Sequence, residues 1–205
     1  MDAPPEQLIC GAARLRRWTV EDLPGLVAAS QASWSHLRPW MPWAQSKPDE
    51  QSSLPFLQSA QEQWATGEAF EFAIRTSRLG EDVVGSCGLM RRIGPGGLEI
   101  GYWVHAGRTR CGLATAAAAA LTWAGVHLQD ATHLEIHVDA ANLPSRGVAA
   151  KLGYQRVGGR RHDRGLPGES GQDEIWQLIA EEWPTSNAAR LWRASGAAPE
   201  DKPSR

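Results

Sequence analysis

The chain has 205 residues, 42% of them hydrophobic, and a formal net charge of −2, which fits one folded domain and excludes strong attraction to nucleic acid or anionic membranes. Its three cysteines lack metal-ligand spacing and do not make an even disulfide set, so a reducing compartment and no metal site are expected. Because no apolar stretch reaches ~18 residues and no secretory signal opens the chain, the sequence predicts a soluble, cytoplasmic protein.

Hydrophobic alternation and turn residues predict seven strands and four helices along the chain. The strands are predicted at 13–18, 69–76, 83–93, 98–104, 133–139, 154–162 and 174–180. The helices are predicted at 20–33, 50–67, 113–125 and 142–153. Turns at 78–82 and 94–97 join three of the strands into an antiparallel meander. The mixed order of strands and helices indicates an α+β fold, with a sheet flanked by helices.

The two ends of the chain lack the pattern of a folded domain. Residues 1–12 precede the first strand and contain adjacent prolines, so they are expected to form a flexible leader. Residues 184–205 are polar and show little apolar periodicity, so they are expected to form a largely disordered tail. The folded domain is therefore predicted to cover residues 13–183.

A short basic loop leads directly into an alanine-rich helix at residues 109–125. The start of a helix presents unpaired N–H groups and the positive end of the helix dipole, which together favour an anion. Gly112 lets a ligand approach the backbone, and Arg110 adds positive charge. The chain has neither a nucleotide P-loop nor a dinucleotide-binding glycine motif. A phosphate or pyrophosphate site is predicted, the alternative being a basic turn that caps a surface helix.

Three segments, in this order, resemble the GNAT superfamily of acyl-CoA-dependent N-acyltransferases. Residues 109–114, TRCGLA, resemble its [QR]-x-x-G-x-[GA] pyrophosphate loop, with Thr109 in place of the usual Gln or Arg. Residues 98–104, LEIGYWV, resemble its splayed fourth strand, and residues 142–154 resemble its N-x-x-S-x-x-V-x-x-K-L-G-[FY] segment. The early LRPWMPWA and the EIGYW signature resemble the RimJ/RimL-type ribosomal-protein N-terminal acetyltransferases.

The resemblance implies a GNAT-like fold whose mixed, mostly antiparallel sheet of about seven strands is splayed between the fourth and fifth strands and flanked by about four helices. It implies acetyl-CoA as the cofactor, with coenzyme A as product. Backbone groups beside the splay would pair with the pantetheine arm as an added strand would, and loop amides would hold the pyrophosphate. The implied cofactor-binding residues are Trp103, Val104, His105, Arg110, Cys111, Gly112, Leu113, Ala114, Thr115, Asn142 and Ser145.

The implied reaction transfers acetyl directly to a primary amine, which needs removal of a proton from the amine and a donor for the leaving thiolate. Glu99 occupies the position of the general base in some members, acting directly or through water; alternatively it faces solvent or binds a cationic substrate. The tyrosine acid of many members is replaced by Ala149. Ser145 is the implied substitute, and Asn142 would bind the pantetheine amide or a water. Both residues also fit plain helix capping.

The implied acceptor is the N-terminal α-amine of a protein or peptide. Candidate acceptor-binding residues are Trp40, Met41, Trp43, Tyr102 and His137. A small-molecule amine, such as a polyamine, amino acid or aminoglycoside, is the alternative acceptor. A non-catalytic acyl-CoA-binding module is the alternative of another class. A homodimer is left open by the sequence.

Overall fold

The computed structural model describes residues 1–76, 82–196 and 198–199, which form a nine-stranded sheet and five α-helices. The strands are β1 Gln7–Cys10, β2 Ala13–Arg17, β3 Ala69–Arg75, β4 Val83–Met90, β5 Gly97–Val104, β6 His133–Asp139, β7 Gln155–Arg161, β8 Gln172–Ile179 and β9 Ala198–Pro199. The helices are α1 Leu23–Leu37, α2 Glu50–Thr66, α3 Leu113–Val126, α4 Leu143–Leu152 and α5 Asn187–Ala194. The predicted α+β class is confirmed. The predicted turn at 78–82 lies outside the described residues, apart from Asp82.

The sheet opens between β5 and β6. Its order is β7-β8-β6-β5-β4-β3-β2-β1-β9, and every neighbouring pair except β5 and β6 is antiparallel. The parallel pair runs only from Gly97 opposite His133 to Glu99 opposite Glu135. Beyond Glu99, the residues of β5 are not paired with β6. The predicted splay between these two strands is therefore confirmed.

Helix α3 packs against one face of the sheet through its small residues. Its alanines at 117–120 are fully buried. A Cβ added to Gly125 would lie only 2.5 Å from Leu134 Cδ2, so glycine is needed for the close approach of this helix to β6. The alanine run therefore lets α3 lie directly on the strands beside the opening.

The two faces of β5 have different environments because side chains alternate along a strand. Leu98 and Ile100 are buried in the core with α3. Glu99, Gly101 and Trp103 alternate with them and belong to the opposite face, which is covered by α1, α2 and the loop between these helices. That opposite face contains the candidate acceptor site.

Both ends of the chain are more ordered than the sequence predicts. In the expected leader, β1 pairs with β2 from Gln7 to Cys10, and Leu8 is fully buried. In the expected tail, α5 forms at 187–194, and its Trp192 ring stacks on Trp123 at a centroid distance of 4.8 Å. A four-residue strand and an eight-residue helix are too short for periodicity to detect, and tertiary packing stabilises both. Residues 197 and 200–205 lie outside the described residues.

Among the residues that the structure describes, none of the helices combines the length and the apolar character that crossing a bilayer requires.

Candidate active site

The β5 edge beside the opening presents backbone groups to an extended ligand. His105 donates its N–H to the Val84 carbonyl at 2.8 Å, on the β4 side. Because backbone groups alternate in direction along a strand, those of Tyr102 and Val104 are directed to the opening and those of Trp103 to β4. Trp103, Val104 and His105 are the residues predicted to pair with pantetheine. Of these three, Val104 directs its backbone groups to the open edge. Tyr102, which was not predicted to pair with pantetheine, does the same.

The predicted anion loop is exposed and forms the start of α3. Arg110 and Gly112 have left-handed backbones, with φ of 60° and 78°. Gly112 is the N-cap, and as a glycine it supplies no side-chain hydrogen bond to the first N–H groups of the helix. Leu113 is buried and anchors the turn, whereas Cys111 is exposed. The loop thus leaves the N–H groups and the positive dipole end of α3 open to an anion.

Helix α4 begins on the other side of the opening. The Asn142 side-chain oxygen accepts the Ser145 N–H at 3.2 Å, so the predicted cap is present. The Ser145 hydroxyl oxygen lies 3.0 Å from the Tyr102 hydroxyl oxygen. Burial raises the pKa of Tyr102 to about 12, which keeps its hydroxyl protonated at neutral pH. Tyr102, predicted to bind substrate, lines the cavity described next and is also joined to the serine predicted to serve as acid.

A cavity of about 760 Å³ lies on the opposite face of the opening. Two glycines form its floor, since Gly88 and Gly101 are direct partners on β4 and β5. A Cβ at Gly88 would overlap the carboxylate of Glu71, and one at Gly101 would lie 3.1 Å from Met90 Cε. The missing side chain at Gly88 makes room for the Glu71 carboxylate, and Gly101 adds no side chain of its own to the floor.

Glu99 lines this cavity but is held by an arginine. Arg92 Nε donates to Glu99 Oε2 at 2.8 Å, and Arg92 Nη2 donates to Oε1 at 2.6 Å. The Glu99 side chain is 12% exposed, against 59% for Arg92. This bidentate ion pair fixes the orientation of the Glu99 carboxylate, since each of its oxygens accepts a hydrogen bond from Arg92.

Glu71 is a site residue that sequence reasoning did not place. Its carboxylate lies over Gly88 and lines the same cavity. Among the described residues, no hydrogen bond reaches this carboxylate; Arg92 is its electrostatic partner. Burial raises the pKa of Glu71 to about 7, and Arg92 opposes that rise. The alternation of residues 69–73 hinted that Glu71 points away from Phe70 and Phe72, but not what it faces.

His137 lies at the end of the cavity nearest β6. Its Nε2 is 2.5 Å from Glu135 Oε2, and its Nδ1 is 3.9 Å from Glu99 Oε2. Gln177 of β8 donates to the other Glu135 oxygen at 3.0 Å. His137, predicted to line the acceptor site, is thus brought together with Glu99 and Glu135.

The loop between α1 and α2 forms the aromatic wall of the cavity. Trp40, Met41 and Trp43 all line it, as the sequence predicts for an acceptor site. The rings of Trp43 and Trp103 lie 5.9 Å apart. Trp34 donates its indole N–H to the Ala44 carbonyl at 2.8 Å, which holds this loop against α1.

The loop between β7 and β8 closes the far side of the cavity and is fastened by a buried cluster. Asp139, His162 and Asp173 bring potential ligand atoms within 4.8 Å of one another. Asp139 accepts the Ser170 N–H at 2.9 Å, and Arg164 Nη2 pairs with Asp173 at 2.7 Å. Burial alone would raise the pKa of Asp139, but its hydrogen bonds lower it to about 2. The cluster therefore holds a loop, and the expected lack of a metal stays a prediction.

Comparison with known proteins decides the family. Residues 13–155 match the family profile described as the acetyltransferase (GNAT) domain. The chain belongs to the GNAT acetyltransferase family. The GNAT chain is thus an acetyl-CoA-dependent N-acetyltransferase. The sequence resemblance implies that the cofactor binds at the opening of the sheet and at the loop before α3.

Solved GNAT structures share the fold. Mycobacterium smegmatis RimJ in complex with CoA-disulfide is 26% identical, covers 96% of each chain and has a TM-score of 0.78. RimL, a ribosomal alpha-N-protein acetyltransferase in complex with coenzyme A, is 18% identical over 82% of this chain and 94% of its own, with a TM-score of 0.74. The microcin self-immunity acetyltransferase MccE, in complex with acetyl-CoA and AMP, is 16% identical over 82% and 92%, with a TM-score of 0.74. A search of curated protein sequences finds no match.

Proposed function

We propose that this GNAT enzyme acetylates the N-terminal α-amine of a protein or peptide in the cytoplasm. The observation that carries this proposal is a cavity at the opening of the sheet with a tryptophan wall and a floor that has no side chain at Gly101. An extended chain end with a small first side chain fits such a floor. The 26% identity with RimJ over 96% of both chains supports kinship with the RimJ/RimL-type enzymes that the sequence resembles.

The cofactor would bind along two features. The pantetheine arm would pair with the open β5 edge at Tyr102 and Val104, in the manner of an added strand. The pyrophosphate would accept hydrogen bonds from amides of residues 110–115 at the start of α3. This arrangement directs the thioester to the point where β5 and β6 diverge, directly beside the acceptor cavity.

The acceptor amine would approach from the cavity. Glu99, already fixed by Arg92, supplies negative charge for an incoming ammonium, and Glu71 supplies a second carboxylate. A terminal α-amine has a pKa near 7.7–8.0, against ~10.4 for a lysine side chain. Less work is therefore needed to neutralise an α-amine, which favours it as the acceptor.

The leaving thiolate needs a proton or a hydrogen-bond donor. Ser145 and Tyr102 form a hydroxyl pair with a 3.0 Å contact at the start of α4, and Tyr102 also lines the acceptor cavity. We assign this pair the role of stabilising the thiolate as the C–S bond breaks. Tyr102 would supply, from β5, the phenol that the sequence lacks at Ala149.

A small-molecule amine is the second candidate acceptor. The observation that favours it is the set of three carboxylates on one face, because Glu71, Glu99 and Glu135 alternate with core residues on β3, β5 and β6. Several carboxylates suit an acceptor with more than one positive charge. This candidate shares the cofactor site and the chemistry, and differs only in what occupies the cavity.

The test is a turnover assay with acetyl-CoA and a panel of amines. Peptides with a free N-terminal serine or alanine are expected to be acetylated, and N-blocked lysine peptides are expected to be poor substrates. Turnover confined to polyamines, amino acids or aminoglycosides would select the second candidate. Acetyl-CoA binding without turnover of any amine would identify a non-catalytic module and contradict the proposal.

A further inference from the structure

The His137 ring is held in one orientation by two strands. Its Nε2 contacts Glu135 Oε2 at 2.5 Å, and Gln177 fixes the other oxygen of Glu135 at 3.0 Å. Because a carboxylate accepts hydrogen bonds, this contact assigns the proton of the neutral ring to Nε2. Nδ1 is then left with its lone pair directed away from Glu135.

That second ring nitrogen is buried without a partner. Nδ1 of His137 has no hydrogen bond within the described part of the chain, and the side chain is only 10% exposed. Nδ1 lies 3.9 Å from Glu99 Oε2, too far for a direct hydrogen bond. An amine nitrogen at the usual ~2.9 Å from each atom would fit this gap. A buried, unpartnered acceptor beside a cavity is a place for a ligand group.

The gap also lies where the reaction would occur. Glu99 and Glu135 form the last pair before β5 and β6 diverge, and His137 is the next residue of β6 on that face. Across the opening stands Gly101, which adds no side chain of its own to this space. A thioester delivered along the open edge at Tyr102 and Val104 would reach the same point.

We propose that His137, oriented by Glu135, is the general base of acetyl transfer, an inference that rests on the proposed function. Nδ1 takes one proton from the acceptor ammonium, and the imidazolium formed is stabilised by Glu135. The neutral nitrogen attacks the thioester carbonyl, forming the C–N bond. The C–S bond then breaks, and a second proton from that nitrogen reaches the thiolate through the Ser145 and Tyr102 hydroxyls. The third proton stays in the amide, and His137 returns its proton to water.

This assignment gives Glu99 and Glu135 distinct tasks. Glu99 keeps both oxygens on Arg92 and holds the ammonium by charge. Glu135 is a positioning residue, with one oxygen on the His137 ring and the other on the Gln177 amide. A fixed carboxylate behind an imidazole is the arrangement that orients a histidine base in other enzymes. The three groups come from two strands on either side of the opening.

The experiment measures steady-state kinetics with acetyl-CoA and an N-terminal serine peptide, or whichever primary amine the wild type acetylates. His137→Ala is expected to lower kcat by ~10²-fold or more, within the range of a positioned base. The KM for acetyl-CoA is expected to stay within about twofold, and added imidazole to restore part of the lost rate. Glu135→Gln is expected to lower kcat without imidazole rescue, because the ring remains in place but lacks its carboxylate.

His133→Ala is the matched control, since His133 Nε2 also approaches Glu135, at 3.8 Å, but lies before the opening. Its kcat is expected to stay within about twofold of the wild type. An acetyl-CoA-dependent rise in Tm verifies that each variant folds. If His137→Ala does not fold, His137→Gln replaces it and is judged by kcat alone, because its side chain leaves no room for imidazole.

Three results would overturn the inference. They are a His137→Ala variant with near-wild-type kcat, a loss of kcat in His137→Ala that imidazole leaves unchanged, or an active His137→Ala beside an inactive Glu71→Gln. A wild type that turns over no primary amine contradicts the proposed function itself. An active wild type with an active His137 variant contradicts only the assignment of the base.

Discussion

Tyr102 and Ser145 come from β5 and α4 and place their hydroxyl oxygens 3.0 Å apart beside the opening of the sheet. If this pair stabilises the leaving thiolate, Ser145→Ala and Tyr102→Phe will each lower kcat by about 10²-fold while changing the KM for acetyl-CoA little. Because the two hydroxyls act together, the double variant is expected to be scarcely slower than either single variant. Steady-state kinetics of the four proteins tests this.

Tyr154→Phe is the matched control for that experiment. Tyr154 makes a similar buried contact, 2.8 Å from the Thr122 hydroxyl, in the core behind α3. Its loss is expected to affect unfolding rather than kcat. A Ser145→Ala enzyme with unchanged kcat would leave Ser145 as part of the α4 cap and nothing more.

Substitution of Gly112 tests the pyrophosphate loop. Gly112→Val adds a branched side chain at φ 78°, next to the N–H groups that would bind phosphate oxygens. Acetyl-CoA is expected to raise the Tm of the wild type by mass action and to lose that effect in the variant. Gly67→Val is an equal backbone perturbation, at φ 77° with open space around the added atoms, at the end of α2. A Gly112→Val protein whose Tm rises with acetyl-CoA as much as that of the wild type would contradict the assignment of the pyrophosphate site.

Removal of a wall tryptophan tests the acceptor cavity. Trp40→Ala is expected to raise the KM for a peptide by about 10-fold, because an aromatic contact of this kind is worth ~1–2 kcal/mol. The KM for acetyl-CoA should stay nearly constant. Trp183→Ala, which removes a partly buried indole outside the cavity, is the control. Equal changes in both KM values would indicate general disruption instead of a lost acceptor contact.

Glu71 makes stability depend on pH. Its pKa in the folded protein is about 7, against an ordinary 4.5, so the folded state binds a proton more tightly than the unfolded state. The free energy of unfolding should therefore fall by up to ~3 kcal/mol as pH rises from ~4.5 to ~7. Glu71→Gln is expected to abolish that component, and the exposed Glu68→Gln is not. Denaturant unfolding at pH 5 and pH 8 measures how the free energy of unfolding of each variant changes with pH. An equal change in Glu71→Gln and Glu68→Gln would refute the prediction.

The parts of the site that sequence reasoning predicts are those set by local chemistry. Gly112 at the start of α3 and Asn142 at the start of α4 are recognisable because a helix start needs particular residues within a few positions. The seven main strands are likewise predicted from their own alternation. Such features need no knowledge of which strand lies beside which.

The parts that sequence reasoning misses depend on contacts between distant segments. The bond of Tyr102 to Ser145 spans 43 positions, and the support of Glu135 by Gln177 spans 42. The enclosure of Glu71 above Gly88 depends on the register of β3 against β4. The alternation of apolar and polar residues along a strand predicts which side chains share a face. Which side chains they contact depends on how the strands pair in the sheet.

The three-pair junction between β5 and β6 has a mechanical consequence. The sheet consists of two panels that are joined only by these three residue pairs, one panel ending in β5 and the other starting with β6. One panel carries Glu99 and the open edge, and the other carries His137 with its support. Leu98 and Leu134, which are paired and fully buried at this junction, therefore help to set the distance between Glu99 and His137. Even a one-methylene change at Leu98 or Leu134 would alter the distance between the two panels, without changing any residue of the candidate site.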